Sequence, residues 1–215
     1  YLINRVKLAK SINKIVVATS TNIKDKKIIE FCKTHKIDYF CGNEHDVLDR
    51  YYNCALKYKA KVIIRITSDC PLVDPTIIDQ TVNLFEEKNA DFTANTVPPE
   101  TRKWPDGSDV EVFSFDTLHK AYLEAKGDER EHVTFYMWKD NNNFKTFQLE
   151  NVHNWSDYRY TIDYAEDFKK VDKIISILYA KNCFGYTKDI INIIKENKDM
   201  QSKDKKFNFG QGWKK

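Results

Sequence analysis

The sequence predicts an α/β fold, a mostly parallel sheet with helices packed on it, and two observations predict it. Short β-branched runs, such as Lys14-Ile15-Val16-Val17-Ala18-Thr19-Ser20 and Val62-Ile63-Ile64-Arg65-Ile66-Thr67, alternate with longer stretches of helical period. The second run then stops abruptly at Ser68-Asp69-Cys70-Pro71-Leu72-Val73-Asp74-Pro75, where two prolines exclude any further strand. Strands alternating with helices imply βαβ units with right-handed crossovers. In such sheets ligands gather beyond the carboxyl ends of the strands, and Asp69 falls there.

In chain order, Tyr1 to Lys10 carries Leu2, Val6 and Ala9 at helical spacing, and Lys14 to Ser20 reads as a strand ending in small hydroxyl residues. Lys24 to His35 reads as a helix with Ile28, Ile29 and Cys32 inward, Ile37 to Cys41 as a strand, and Asp46 to Tyr58 as a helix with cap candidates in Asn43-Glu44-His45-Asp46. Val62 to Thr67 reads as a buried parallel strand, Pro75 to Glu87 as a helix with proline in its first turn, and Asp91 to Asn95 as a strand. Thr96 to Gly107 is rich in breakers and reads as a binding loop or lid. Ser108 to Phe115 alternates as a strand does, Thr117 to Ala125 and Arg130 to Trp138 read as helices, and Asn141-Asn142-Asn143 as a turn. Phe144 to Leu149 reads as an antiparallel edge strand and Tyr158 to Asp163 as a further strand; helices follow at Ala165 to Ala180 and Thr187 to Asn197. Residues 1–197 thus make one domain, and 198–215 a polar tail ending in Phe207, Phe209 and Trp213.

Composition narrows the function classes. With 215 residues and 41% hydrophobic content the chain can bury one substantial core. Thirty-five Lys and Arg against 32 Asp and Glu give +3, scattered along the chain, which argues against nucleic acid as a partner. No apolar run approaches a membrane span, so the expectation is a cytoplasmic protein with no membrane partner. Five cysteines without a CxxC pair read as free thiols in a reducing compartment.

The candidate residues keep two readings each at this level. Asp69 suits Mg²⁺, which needs only one or two protein carboxylates when phosphates and waters complete its shell; it equally suits a helix cap or turn. Asp163 is a metal ligand or the cap of the helix beginning at Ala165. Arg50 and Arg65 are phosphate contacts or structural ion pairs, His132 a ligand or a satisfied helix histidine. Asp106-Gly107 is a turn signal first and a substrate loop second, and Trp104 a ring platform or a loop anchor.

Five runs together resemble a known family: Gly42-Asn43-Glu44-His45-Asp46-Val47-Leu48-Asp49-Arg50-Tyr51, Arg65 to Pro75, Asp106-Gly107-Ser108-Asp109-Val110-Glu111-Val112-Phe113, Arg130-Glu131-His132-Val133-Thr134, and Tyr160-Thr161-Ile162-Asp163-Tyr164-Ala165-Glu166-Asp167. In this order they resemble the spore coat polysaccharide biosynthesis protein F family, a branch of the cytidylyltransferases. The resemblance implies a Rossmann-like nucleotidyltransferase fold of the glycosyltransferase-A-like kind, a three-layer sandwich. It implies CMP transfer from CTP to a sugar acid with release of pyrophosphate, in a homodimer. It places Mg²⁺ on Asp69 and Asp163, Arg65 among the catalytic residues, and Arg50, Ser68 and Asp69 on the nucleotide. Asp109, Glu111, Arg130, Glu131 and His132 fall on the sugar side, and residues 96–150 become the substrate and dimer segment.

The family also opens with a strand and a loop rich in Arg, Gly, Ser and Lys that wraps the triphosphate, and no segment here matches them. The expectation is a gap in the sheet, or forced pairing of the strands at Lys14 to Thr19 and Lys61 to Thr67. The alternative function is a non-catalytic homologue or fragment serving as a binding or scaffold subunit.

Overall fold

The computed structural model describes residues 1–139 and 142–200. Asn141 of the expected turn, and the tail beyond Met200, lie outside the described residues. A short helix α1 (Leu2–Val6) leads into β1 (Val16–Ser20), α2 (Lys26–Thr34) and β2 (Asp38–Gly42), with β1 and β2 parallel. Then follow α3 (Val47–Tyr58), β3 (Val62–Arg65), α4 (Pro75–Glu87), β4 (Phe92–Ala94), β5 (Glu111–Ser114), α5 (Phe115–Glu124), α6 (Asp128–Glu131), α7 (Phe135–Trp138), β6 (Thr146–Gln148), α8 (Ala165–Ala180) and α9 (Thr187–Glu196).

The strands form two sheets, β1-β2 and β3-β5-β4-β6. In the larger sheet β3, β4 and β6 run one way and β5 alone runs against them. Of the two outcomes expected for β1 and β3, the structure shows separation: they share no sheet. Apolar packing joins the two parts instead, with Ile12 and Ile15 ahead of β1 in one cluster with Ile64 and Ile66 on and after β3.

Successive residues of a strand face opposite ways, and this sorts the core into layers. Ile63 and Phe113 point into a cluster with Leu48 and Ala55 of α3 and Leu118 of α5. Ile64 and Val112 point the other way, onto Ile77, Ile78 and Val82 of α4. The product is helices on both faces of a sheet, a three-layer α/β sandwich. Helices α8 and α9 close a third cluster with Leu72 and Tyr160.

Two buried polar residues fasten these parts. Asp74, 3% exposed, accepts from the Thr76 N–H at the start of α4 with one oxygen and from the Thr187 N–H at the start of α9 with the other. One carboxylate thus satisfies orphan donors of two helices. Arg5 donates to the carbonyls of Val73, Phe184 and Gly185, and so anchors α1.

Several expected elements differ. Ile28 points outward at 41% exposure, because only Cys32 of that helix reaches full burial. β3 is half-buried rather than buried, and its sole sheet neighbour is the antiparallel β5. The helix expected at Arg130 to Trp138 is two single turns, broken where Val133 takes φ +54°. β6 pairs parallel with β4, not antiparallel. Tyr158 to Asp163 forms no regular strand: it makes one bridge, Asp106 to Arg159, and otherwise bonds loops.

Candidate active site

Three irregular segments meet beyond the carboxyl end of β3. The Arg159 to Asp163 strap lies between the other two and bonds both: the Tyr160 N–H donates to the Asp106 carbonyl at 2.8 Å, and the Ile162 N–H to the Asp69 carbonyl at 2.8 Å. Thr161 Oγ1 adds a second donor to the Asp69 carbonyl at 3.2 Å. Asp69 and Asp163, 94 positions apart in sequence, are therefore brought together through backbone bonds one residue from Asp163. Asp69 is half-buried and Asp163 exposed, so neither is walled off.

The approach depends on Gly107. It sits at φ +101°, and a Cβ there would lie 2.6 Å from the Thr161 nitrogen. Gly107→Ala therefore strains its own backbone and pushes the strap away; about 1–3 kcal/mol of stability is lost, with the midpoint of thermal unfolding as the measurement.

The capping alternatives for both acids are resolved by their neighbours. Asp74, not Asp69, caps α4. Among the described residues, the hydrogen-bond partner of the Asp69 side chain is the Cys70 thiol, whose one proton is within weak reach of Asp69 Oδ1 or Asp109 Oδ2 at 3.6 Å each, and its charge also acts on Arg65. At α8 the carboxylate of Asp167 accepts from the N–H groups of Asp163 and Tyr164 at 3.0 and 2.9 Å, so Asp163 is spared the cap. Asp163 Oδ2 takes Arg159 Nη2 at 2.5 Å.

Around this pair the charge is predominantly negative. Asp109 is buried; one oxygen accepts from Thr96 Oγ1 at 2.7 Å and the other from the Gly107 N–H at 2.8 Å. Desolvation raises its pKa against those hydrogen bonds, and Asp69 and Glu111 add repulsion. Asp106 is pushed up to about 7, first by burial and then by Asp109, against the opposing pull of Arg159 and Arg102. An acid whose folded pKa exceeds its unfolded value of about 3.9 binds more protons folded than unfolded, so stability falls as pH rises through that interval. The thermal midpoint of the metal-free chain therefore stands higher at pH 5.5 than at pH 8, and Asp106→Asn flattens the slope; unfolding scans across that range are the check.

The remaining expected residues divide. Arg65 and Glu111 face each other in register across β3 and β5 with Nη1 to Oε2 at 2.5 Å, and Thr134 Oγ1 donates to Glu111 Oε1 at 2.7 Å. Burial alone would lower the Arg65 pKa, but Glu111 and Tyr51 outweigh it and hold the guanidinium charged. Arg50 sits beyond β2, donating to the Asn43 carbonyl at 2.8 Å. The Nε groups of Arg50 and Arg65 are buried without an acceptor among the described residues. Such groups are costly unless something supplies the partner. Ser68 is exposed in the turn before Asp69. Arg130 stands apart, its Nε on Asp46 at 2.6 Å, where it steadies the cap of α3. Glu131 is exposed, and His132 stacks on Phe135 with ring centres 4.4 Å apart. Trp104 is buried and donates to the Leu149 carbonyl at 2.8 Å, so it anchors its loop.

Sequence reasoning missed the roles of Arg159 and Asp167 and kept Asp106 as a turn residue first and a substrate-loop residue second. A signal was present: an arginine followed by carboxylates four and eight positions on, at Asp163 and Asp167.

Among the described residues no three His, Cys, Asp or Glu side chains form a ready-made metal cage, and no helix is long and apolar enough to cross a membrane. A family model described as cytidylyltransferase matches residues 1–204. An uncharacterized protein of Methanocaldococcus jannaschii is 39% identical over 171 residues, 78% of this chain and 68% of that protein. Spore coat polysaccharide biosynthesis protein SpsF of Bacillus subtilis is 30% identical over 188 residues, 84% of this chain and 74% of that one. Among solved structures, a cytidylyltransferase from Leptospira borgpetersenii aligns at TM-score 0.85 and 32% identity, over 93% of this chain and 83% of its own. A CMP:2-keto-3-deoxy-manno-octonic acid synthetase solved with CTP aligns at 0.55 and 11% identity, over 80% and 85%, a likeness of fold alone. This chain belongs to the cytidylyltransferase family of nucleotidyltransferases.

Proposed function

We propose that this protein transfers CMP from CTP to the hydroxyl of a sugar acid, releasing pyrophosphate, with Mg²⁺ held by Asp69 and Asp163. The observation that carries the reading is that both carboxylates keep ligand capacity: Asp69 caps no helix, and Asp163 Oδ1 accepts no hydrogen bond among the described residues. The donor set fits a hard cation. Oxygen ligands are what Mg²⁺ prefers, and two suffice when substrate phosphates complete the shell; the neighbouring Asp106 and Asp109 have pKa values raised first by burial and further by carboxylate repulsion, and a divalent ion would relieve that repulsion.

When bound, the metal supplies charge neutralisation at the α-phosphate. The chain's own residues position the reactants, which is most of the catalysis in phosphoryl-type transfer. Arg65 and Arg50 present buried, charged donors with an Nε to spare, suited to phosphate oxygens. Ser68 lies exposed beside Asp69 on the nucleotide side. Asp109 and Glu111 bind the sugar side indirectly, since protein donors already engage their carboxylates; they hold the loop and strand that shape it. In the same reading Arg130, Glu131 and His132 belong to the sugar side through the resemblance alone, since Arg130 pairs with Asp46 at the cap of α3 and His132 stacks on Phe135.

The SpsF relative's name speaks of polysaccharide biosynthesis, and activation of a sugar for surface polysaccharide or glycoconjugate in the cytoplasm follows from the same reading. Homodimerisation through residues 96–150 belongs to it as well, and Leu123 of α5, 66% exposed, lies in that segment. Pyrophosphate release from CTP and Mg²⁺ with a panel of sugar acids tests the proposal. Release that depends on one sugar acid supports it; no release with any acceptor, while the chain is folded, rejects it.

A further inference from the structure

Asp163 is held at two points, and both lead to one guanidinium. Arg159 is nearly buried, its side chain 12% exposed. Its Nη2 lies 2.5 Å from Asp163 Oδ2 and 2.8 Å from Asp167 Oδ2, its Nη1 bonds Asp167 Oδ1, and its Nε faces Asp106 Oδ2 at 3.3 Å. Asp167, in turn, receives the Asp163 N–H at 3.0 Å. The backbone and one carboxylate oxygen of Asp163 are thus both tied to the Arg159–Asp167 unit, and Oδ1 accepts no hydrogen bond among the described residues.

The arrangement costs more than a purely structural anchor needs. Asp163 is 46% exposed at its side chain, where an unrestrained aspartate would sample several rotamers. A bidentate pair with Asp167 alone would already anchor the strap to α8. The third and fourth contacts, to Asp163 and Asp106, instead tie together two acids that border the meeting point of the three segments. A planar fork can do this and an ammonium cannot, because only the fork presents several donors in fixed directions. Among the described residues the carboxylates of Asp106, Asp163 and Asp167 share this one cation, with Arg102 also acting on Asp106.

We infer that Arg159 is the positioning residue of the metal site, fixing Asp163 so that Oδ1 is the ligand atom and coupling that carboxylate to Asp106 on the neighbouring loop. The inference rests on the reading of Asp163 as a ligand. Groups that orient metal ligands typically change metal affinity about 10–100-fold when altered.

The test is Mn²⁺ binding to the CTP-free full chain, read from loss of the free aquo-ion EPR signal, beside CTP turnover, for wild type, Asp163→Ala, Arg159→Lys and Asp167→Asn. Arg159→Lys keeps the charge and removes the fork; the expected result is a folded protein with Mn²⁺ affinity about 10-fold or more weaker and, at saturating metal, a KM for CTP within about threefold of wild type. Asp167→Asn keeps an acceptor for the Asp163 N–H but loosens Arg159, and its Mn²⁺ affinity falls in the same direction; it decides the matter if Arg159→Lys does not fold. Unchanged Mn²⁺ affinity in the folded variants, or no Mn²⁺ bound by wild type, overturns the inference. Wild type that binds Mn²⁺ through Asp163 and Arg159 but turns over no CTP rejects the proposed reaction and leaves Arg159's role standing.

Discussion

Asp69→Asn leaves a folded protein that transfers CMP at least about 10²–10³-fold more slowly, the scale on which loss of one preorganised electrostatic contact acts. The substitution keeps the shape of the side chain and removes its charge. The fold should tolerate it because most of the residue's structural work is done by its backbone: the Asp69 carbonyl receives Ile162 and Thr161, while among the described residues its carboxylate is hydrogen-bonded by a weak thiol donor and acts on Arg65, which Glu111 holds directly. Removing one negative charge from beside Asp109 relieves repulsion, so the thermal midpoint holds or rises slightly. A stopped-time assay of pyrophosphate together with an unfolding scan checks both halves. Activity near wild type would show that Asp69 is not the ligand, and a collapse of stability would show that it is structural after all.

Arg159→Met destabilises the chain by about 3–5 kcal/mol, because deleting the cation leaves Asp167, its buried partner, charged and dry. For a domain of this size that is a drop of about 10 °C in the unfolding midpoint. Asp167 carries most of the effect. Burial pushes its carboxyl up, but the Arg159 guanidinium and the N–H groups of Asp163 and Tyr164 hold it below the usual carboxylate range. A depressed folded pKa gives stability that is present above the unfolded value of about 3.9 and lost as pH falls through the folded one. The deficit of the variant is therefore full at pH 7 and shrinks in strong acid. The exposed Lys14–Asp38 pair, with side chains 51% and 50% accessible, is the contrast: Lys14→Met leaves the midpoint where it is, since solvent screens such a pair. A midpoint shift below about 2 °C for Arg159→Met would mean the cluster is not dry.

How far the sequence led can be judged residue by residue. α4 and α8 were legible to their ends, because Pro75 at the first position and a long apolar period left no competing reading. The three layers came from the family resemblance rather than from the residues; the structure shows them in Ile63/Ile64 and Val112/Phe113, whose alternation sends neighbours to opposite faces. The sense of β6 was not, since a strand's direction relative to its partner depends on the path of the intervening chain. The break at Val133 was hidden for a similar reason: a β-branched residue at positive φ is forced by tertiary packing, here of a side chain with no exposure. Tyr158 to Asp163 has the composition of a strand and serves as a strap, because its backbone donors are taken by two loops rather than a neighbouring strand.

For the proposed site, the sequence offered the two acids and gave no sight of what surrounds them. Asp69 and Asp163 stood out by their places in motifs, but nothing in a linear string distinguishes a carboxylate that caps a helix from one that does not. That distinction was made by Asp74 and Asp167, which take the capping work. Arg65 and Glu111, read separately as catalytic and sugar-side residues, turn out to be cross-strand partners.

The most direct test of the two-acid site is a crystal of this protein grown with CTP and Mn²⁺, with the ion located by its anomalous scattering. The account predicts a peak within about 2.0–2.3 Å of carboxylate oxygens from both Asp69 and Asp163, bridging to the triphosphate. A peak held by the triphosphate with neither aspartate in reach, or one elsewhere on the chain, would contradict it.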